Sequence, residues 1–302
     1  DDVPESLLVV GGGYIALELG TVYAELGAKG TVVELTDGLL PGADRDLVKP
    51  VAKRLESRFA GILLGTKVVS FTDQADRIEV QLEAADGNRT MVFDRVLVSI
   101  GRRPLTAGFG LENTQVTLDD RGFIDVDPQQ RTSDERILAI GDVVGEPKVA
   151  HKASHEGKVA AEVLAGHPAT FDALAIPAVV FTDPEIAWAG LTVEQAQREN
   201  CPIREAQYPW QASGRSVAIG RTDGLTKWIF DPETERILGC GIVGSGAGEL
   251  IAEAVLAIEM GATARDIADS IHPHPTLSET LAFAAEVHLG TATEVYRPKR
   301  QK

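Results

Sequence analysis

Leu7-Leu8-Val9-Val10-Gly11-Gly12-Gly13-Tyr14-Ile15-Ala16 is the stretch from which the fold of this chain is read. Four apolar residues in a row form the pattern of a parallel strand covered on both faces. Glycines end the run, and Ile15, Leu19, Val22 and Leu26 then recur at helical spacing until Gly27 stops them. Thr31-Val32-Val33 resumes a β-branched strand that ends on Glu34. Gly11, Gly13 and Ala16 fit the G-x-G-x-x-G/A rule of a dinucleotide-binding unit, with Gly12, Tyr14 and Ile15 between them. The first glycine allows the tight turn, the second lets backbone approach a pyrophosphate, and the small third residue lets the helix lie close to the strand. The start of that helix would offer N–H groups and a positive dipole end to the phosphates. Glu34 stands 23 residues past Gly11, where a carboxylate accepts hydrogen bonds from ribose hydroxyls and repels a 2′-phosphate. No arginine follows in Leu35-Thr36-Asp37, so NAD is expected rather than NADP.

Beyond that unit, an amphipathic helix is expected from about Arg45 to Phe59, burying Leu47, Val48, Val51 and Leu55. Residues from Val68 to Val92 alternate like β-structure around a turn at Asp86-Gly87-Asn88, and Val96-Leu97-Val98 reads as another buried strand. Strands are expected at Phe123 to Val126 and at Ile137 to Ile140, with a helix from about Ala150 to Leu164. After Pro177 the pattern gives strands near Val179, Ile186, Trp228 and Ile242, then helices at Ala247 to Met260 and Leu277 to Val287. Arg297 to Lys302 reads as a frayed basic tail.

The bulk composition excludes several classes. A formal net charge of −16 over 302 residues disfavours nucleic acid and anionic membrane as partners. No apolar run approaches the roughly 20 residues of a membrane helix, and the opening residues Asp1 to Ser6 lack the pattern of a signal peptide. Cys201 and Cys240 stand far apart, in no CxxC or CxxxxC pattern and without metal-ligand spacing. Both read as small buried hydrophobes, so no metal site is expected and a cytoplasmic setting is favoured.

Several further stretches carry a resemblance. Thr132 through Asp142, ending Ile137-Leu138-Ala139-Ile140-Gly141-Asp142, resembles the second flavin-binding motif of the pyridine-nucleotide disulfide oxidoreductases, and Ala150-His151-Lys152-Ala153 with Glu156-Gly157 resembles the helix that follows it. Ile271-His272-Pro273-His274-Pro275-Thr276-Leu277-Ser278-Glu279 is similar to the H-x-H-P-T-x-x-E segment of the same family. Ala175 to Glu185, Tyr208-Pro209-Trp210 and Ser213-Gly214-Arg215 look most like the bacterial dihydrolipoyl dehydrogenase branch. The resemblance implies an α/β fold with a Rossmann-type NAD domain over residues 1–104, the carboxyl-terminal part of an FAD domain over 105–172, and an α+β interface (dimerisation) domain over 173–302.

It also implies FAD beside NAD. Asp142 and Ala150 would hold the flavin, Glu18 and Val68 would line the NAD groove, and Gly101 would lie near the nicotinamide ribose. His274 would be the base and Glu279 its partner. A free thiol is mostly protonated at neutral pH and only the thiolate attacks a disulfide, so an adjacent imidazole steadied by a carboxylate suits the task. Glu279 carries an alternative reading, because Thr276-Leu277-Ser278-Glu279 also spells a capping box for the last helix. His272 reads as structural. The implied partners are a second copy of the chain and the lipoyl domain of a 2-oxoacid dehydrogenase acyltransferase, as in a pyruvate dehydrogenase complex. The family's amino-terminal glycine fingerprint and CxxxxC disulfide are absent from the sequence, so a portion inactive by itself is expected, with apolar surface left exposed around 105–172. Two alternatives stay open: an NADPH-dependent disulfide or metal reductase of the same family, and a non-catalytic NAD-binding or dimerisation module.

Overall fold

The computed structural model of the protein describes residues 2–295. Residues up to Ile100 and from Pro177 onward form one compact unit, and Gly101–Ile176 form a second. In the first unit the chain runs β1 (Ser6–Val10), α1 (Tyr14–Glu25), β2 (Lys29–Val33), α2 (Arg45–Glu56) and β3 (Gly61–Leu63). It continues with β4 (Thr66–Gln74), β5 (Arg77–Ala84), β6 (Gly87–Phe93) and β7 (Arg95–Val98). The second unit contributes α3 (Ala150–Leu164). The first unit then resumes with β8 (Ala178–Val180), β9 (Glu185–Gly190), α4 (Val193–Glu199), β10 (Arg204–Pro209), α5 (Gly214–Ala218), β11 (Leu225–Phe230) and β12 (Ile237–Gly244). It ends on α6 (Ala247–Glu259), α7 (Ala264–Ala268) and α8 (Glu279–Leu289).

β1 is central in a parallel sheet of order β3-β2-β1-β7, and its side-chain alternation splits the core in two. Leu7 and Val9 face α1 and α2 in a cluster with Leu17, Leu47, Val51, Leu55 and Phe59. Leu8 and Val10 face the other way, onto Val80, Leu82 and Phe93 of the β4-β5-β6 meander. The unbroken apolar run is thus explained by two covered faces. The first cluster also contains Val180, Ile186 and Val243, so it continues into the antiparallel sheet of order β10-β11-β12-β9-β8.

A buried ion cluster reinforces that continuity. Lys227 on β11 has a side chain only 1% exposed, and its Nζ lies 2.6 Å from Asp44 Oδ2 and 2.7 Å from Asp46 Oδ1 at the start of α2. Asp44 also accepts the backbone N–H groups of Val193 and Glu194 at the start of α4. Gln207 donates to Asp46 Oδ2 at 2.7 Å. With Asp46 Oδ2 a third acceptor at 2.9 Å, the three donors of the ammonium face three carboxylate oxygens, as a buried charge requires.

Four expectations are corrected. The buried face of α1 is Ala16, Leu17 and Gly20, whereas Leu19, Val22 and Leu26 are exposed. Gly20 belongs to that face because the helix packs so closely there that a Cβ on it would stand 3.1 Å from the Phe59 ring and 3.3 Å from Val9 on β1. β7 is half exposed rather than buried, because it forms an edge of its sheet and Val98 is exposed. No strand forms among the described residues at 123–126 or 137–140, which make only single bridges, Leu118 to Ile124 and Arg131 to Leu138. Cys240 is buried and burial pushes its thiol well above the usual range, but Cys201 is only partly covered. Leu105, Phe109, Leu164 and Leu174 are exposed on the second unit, as expected of its apolar surface. The basic tail at 297–302 lies outside the described residues.

Removing the ammonium while leaving its two carboxylates should be costly. In urea unfolding at neutral pH, Lys227→Met is expected to lower stability by about 3–5 kcal/mol, the scale for breaking a buried ion pair. Adding Asp44→Leu should recover only part of the loss, because Val193 and Glu194 then lose their acceptor. Unchanged stability in Lys227→Met would show that the cluster does not hold the unit together.

Candidate functional site

The glycine loop between β1 and α1 is built as its spacing requires. Gly11 has φ +113°, and a Cβ there would collide with the carbonyl oxygen of Ser99. A Cβ on Gly12 would meet Leu39 at 2.9 Å and Glu34 at 3.0 Å. Gly13, by contrast, opens onto empty space, with nothing within 4 Å of its would-be Cβ. It is the N-cap of α1, which has neither a capping side chain nor an acidic residue in its first turn. A helix start left open in this way is suited to an anion. Ala16 is fully buried against the sheet, while Tyr14 is exposed and Ile15 half-buried.

Glu34 directly follows β2 and lies against this loop. Its Oε2 accepts from Gly12 N at 2.5 Å and its Oε1 from Thr36 N at 2.7 Å and Thr36 Oγ1 at 2.8 Å. Burial opposes ionisation, but these bonds outweigh it and lower the carboxyl below its usual value. The side chain is thus held as a carboxylate at the mouth of the glycine loop. Val68 is half-buried and packs on the second core cluster. Glu18, on α1, accepts from Phe181 N at 2.8 Å, a tie to the segment between β8 and β9 that its sequence position does not signal.

The second centre lies before α8. His274 Nδ1 is 2.9 Å from Glu279 Oε1, with the imidazole side chain 77% exposed and the carboxylate side chain 11% exposed. A carboxylate only accepts, so the proton of the neutral ring sits on Nδ1 and Nε2 is left open towards solvent. Glu279 Oε2 accepts from Thr276 N at 2.8 Å. Its reciprocal partner is missing, because the Thr276 hydroxyl donates to Pro273 O and pairs with Ser278 instead. The capping box is therefore half formed, and one carboxylate both holds the turn and orients the imidazole.

His272, two residues away, has the opposite setting. Its Nδ1 donates to Ser270 O at 2.9 Å and its Nε2 to Glu253 on α6 at 2.8 Å. With an acceptor on each nitrogen, the ring is held as imidazolium. The Glu253 hydrogen bond raises its pKa, burial opposes this, and the Ser270 carbonyl adds to the rise.

In the second unit, Asp142 sits on a short helical turn, Gly141–Val143, and pairs with Arg102 at 2.7 Å. Arg102 also donates to Lys148 O at 2.6 Å. Beneath the turn, Lys152 and Glu156 on α3 form a pair 2.8 Å apart, exposed by only 6% and 3%. Glu156 accepts from Gly141 N at 2.6 Å and Lys152 donates to Gly141 O at 3.3 Å, so the pair grips both backbone polar atoms of the residue before Asp142. The i,i+4 spacing of a Lys and a Glu was visible in sequence, but only burial gives it this role. Ala150, the first residue of α3, and Gly101, at φ +124°, are exposed. Among the described residues no cluster of His, Cys, Asp or Glu could hold a metal ion, and no helix is long and apolar enough to cross a membrane.

The His272 pair predicts a pH signature. Its folded pKa lies above the ordinary 6.5, so its contribution to stability is complete below that value and is lost as pH rises through the folded pKa. The difference in Tm between wild type and His272→Gln should be largest below pH 6.5 and narrow above it. A gap independent of pH would show that the ring is not held as imidazolium.

Comparison with known proteins places the chain in a family. Residues 1–157 match the family model of the pyridine nucleotide-disulphide oxidoreductases, and residues 176–285 match that family's dimerisation domain. Curated relatives named dihydrolipoyl dehydrogenase, from Vibrio parahaemolyticus and Haemophilus influenzae, are each 47% identical over 100% of this chain, which spans 63% of their length. Among solved structures, LpdA from Mycobacterium tuberculosis superposes with a TM-score of 0.87 at 28% identity, over 95% of this chain and 62% of that one. The HOCl-induced flavoprotein disulfide reductase RclA from Escherichia coli gives a TM-score of 0.86 at 28% identity, over 95% of this chain and 65% of that one. On the glycine loop, the His–Glu pair and a family match over more than half its length, the chain belongs to the pyridine nucleotide-disulphide oxidoreductases.

Proposed function

We propose that this chain supplies the NAD-binding, flavin-cradling and thiol-deprotonating residues of a dihydrolipoyl dehydrogenase. In that reaction protein-bound dihydrolipoyl groups are oxidised and the electrons reach NAD. The observation that carries the reading is the exposed His274 ring, whose Nδ1 is held by Glu279 at 2.9 Å while Nε2 faces outward. His274 Nε2 takes the proton of the incoming thiol, and Glu279 fixes the tautomer and stabilises the imidazolium that forms. Bound FAD would supply the redox chemistry that links a disulfide to NAD. Asp142, on a turn gripped by Lys152 and Glu156, and Ala150 at the start of α3 would hold the flavin.

Gly11, Gly12, Gly13, Tyr14, Ile15 and Ala16 receive the NAD pyrophosphate, and Glu34 receives the adenine ribose. Glu18, Val68 and Gly101 line the remainder of the groove. Residues 1–104, 105–172 and 173–302 act as NAD, FAD and interface domains in a cytoplasmic homodimer, whose partner is the lipoyl domain of an acyltransferase. The 47% identity to relatives named dihydrolipoyl dehydrogenase supports this branch over the reductases, which match at 28%.

In FAD-loaded holoenzyme that includes the family's CxxxxC disulfide, His274→Gln is expected to lower dihydrolipoamide-dependent NADH formation by about 10²–10⁴-fold, the usual worth of a general base, with NADH binding unchanged. A wild-type rate in that variant would remove the assignment. In a coenzyme titration NADH should bind more tightly than NADPH, because the Glu34 carboxylate repels a 2′-phosphate. The reverse preference would make the chain part of an NADPH-dependent reductase.

A further inference from the structure

We propose that Thr226 and Thr280 are positioning residues for the His274–Glu279 pair, joined in a one-way hydrogen-bond chain from the Trp210 indole to the turn that carries Glu279. Trp210 Nε1 lies 2.9 Å from Thr226 Oγ1, Thr226 Oγ1 lies 2.8 Å from Thr280 Oγ1, and Thr280 Oγ1 lies 2.7 Å from Leu277 O. Proton counting fixes the direction. The indole can only donate, so Thr226 accepts from it, and the carbonyl can only accept, so Thr280 donates to it. Each hydroxyl has one proton, so Thr226 must donate to Thr280. Trp210, Thr226 and Thr280 are all 0% exposed, which leaves no water to take over a missing partner.

The chain ends where the site needs support. α8 begins at Glu279 with no side-chain hydrogen bond from its N-cap, Ser278. The half-formed capping box leaves its first turn dependent on what lies beneath it. That support is the antiparallel sheet: Leu277 is held through the two threonines, and Trp228 Nε1 donates to Leu281 O at 2.9 Å as a second pin. The exposed His274 ring is held at Nδ1 by Glu279, so any shift of this turn is felt directly there. The consequence for turnover rests on the proposed function; the positioning itself does not.

The test reads the His274 tautomer by ¹⁵N shifts in labelled protein, which needs no catalysis. Wild type should show the proton on Nδ1. In Thr280→Val, which keeps shape and removes the hydroxyl, the Nε2–H population should rise severalfold, and Thr226→Val should do the same. Thr280→Ser and Thr226→Ser, which keep the hydroxyl, should restore the wild-type signature. If either valine variant fails to fold, the other carries the test. A wild-type tautomer in a folded valine variant, or serine variants shifted as far as valine ones, would overturn the proposal. A shifted tautomer with unchanged dihydrolipoamide oxidation would uphold the positioning and refute the proposed reaction.

Discussion

The ammonium of Lys227 sits out of water between Asp44 and Asp46, and the rest of the first unit is arranged around that placement. A charge with 1% exposure is tolerable only when each donor finds an acceptor, so the start of α2 must meet β11 at one position. From there the constraint runs along the chain into the glycine loop. Leu39 and Leu40 precede Asp44, and Leu40 N donates to Gly12 O at 2.8 Å. Leu39 also closes over the loop, its side chain 2.9 Å from where a Cβ on Gly12 would stand. The antiparallel sheet thereby fixes the dinucleotide loop as well as the turn before α8.

Two histidines separated by one proline show how geometry assigns chemistry. His272 meets an acceptor on each nitrogen and is held charged, so it anchors the loop to α6. His274 meets an acceptor on Nδ1 and presents Nε2 to solvent, so it can take a proton. The difference lies in what α6 and α8 bring alongside each ring. Glu279 is the economical part of this arrangement, because its two oxygens bind two different donors and neither is left over. The same logic operates in the second unit, where Glu156 and Lys152 grip the two polar atoms of Gly141 and so set the turn that presents Asp142.

Much of this was legible in the residue order. The apolar run at Leu7 to Val10, the glycine spacing and the carboxylate at Glu34 imply a parallel strand, a tight loop and a helix start, because period and backbone freedom are local properties. The capping-box spelling at Thr276 to Glu279 leads into the last helix, although Ser278 rather than Thr276 is its N-cap. The face of α1 was misread, since hydrophobicity favours Leu19 and Val22 while close packing on β1 selects Ala16, Leu17 and Gly20. Burial of small residues leaves no trace in a hydropathy pattern. The strands expected at 123–126 and 137–140 failed for a related reason, because β-propensity becomes a strand only where a neighbouring ladder receives it.

The sequence by itself determined the periods, the turns and the identity of the chemical groups. Tertiary structure alone decided which groups meet. Lys227 lies 183 residues from Asp44, and Thr226 lies 54 residues from Thr280; no local rule relates such positions. Their pairing follows from excluding water around β11, since a buried donor must find whichever acceptor the packing brings near. The two histidines differ by the same criterion, because exposure and the count of nearby acceptors are properties of the folded chain.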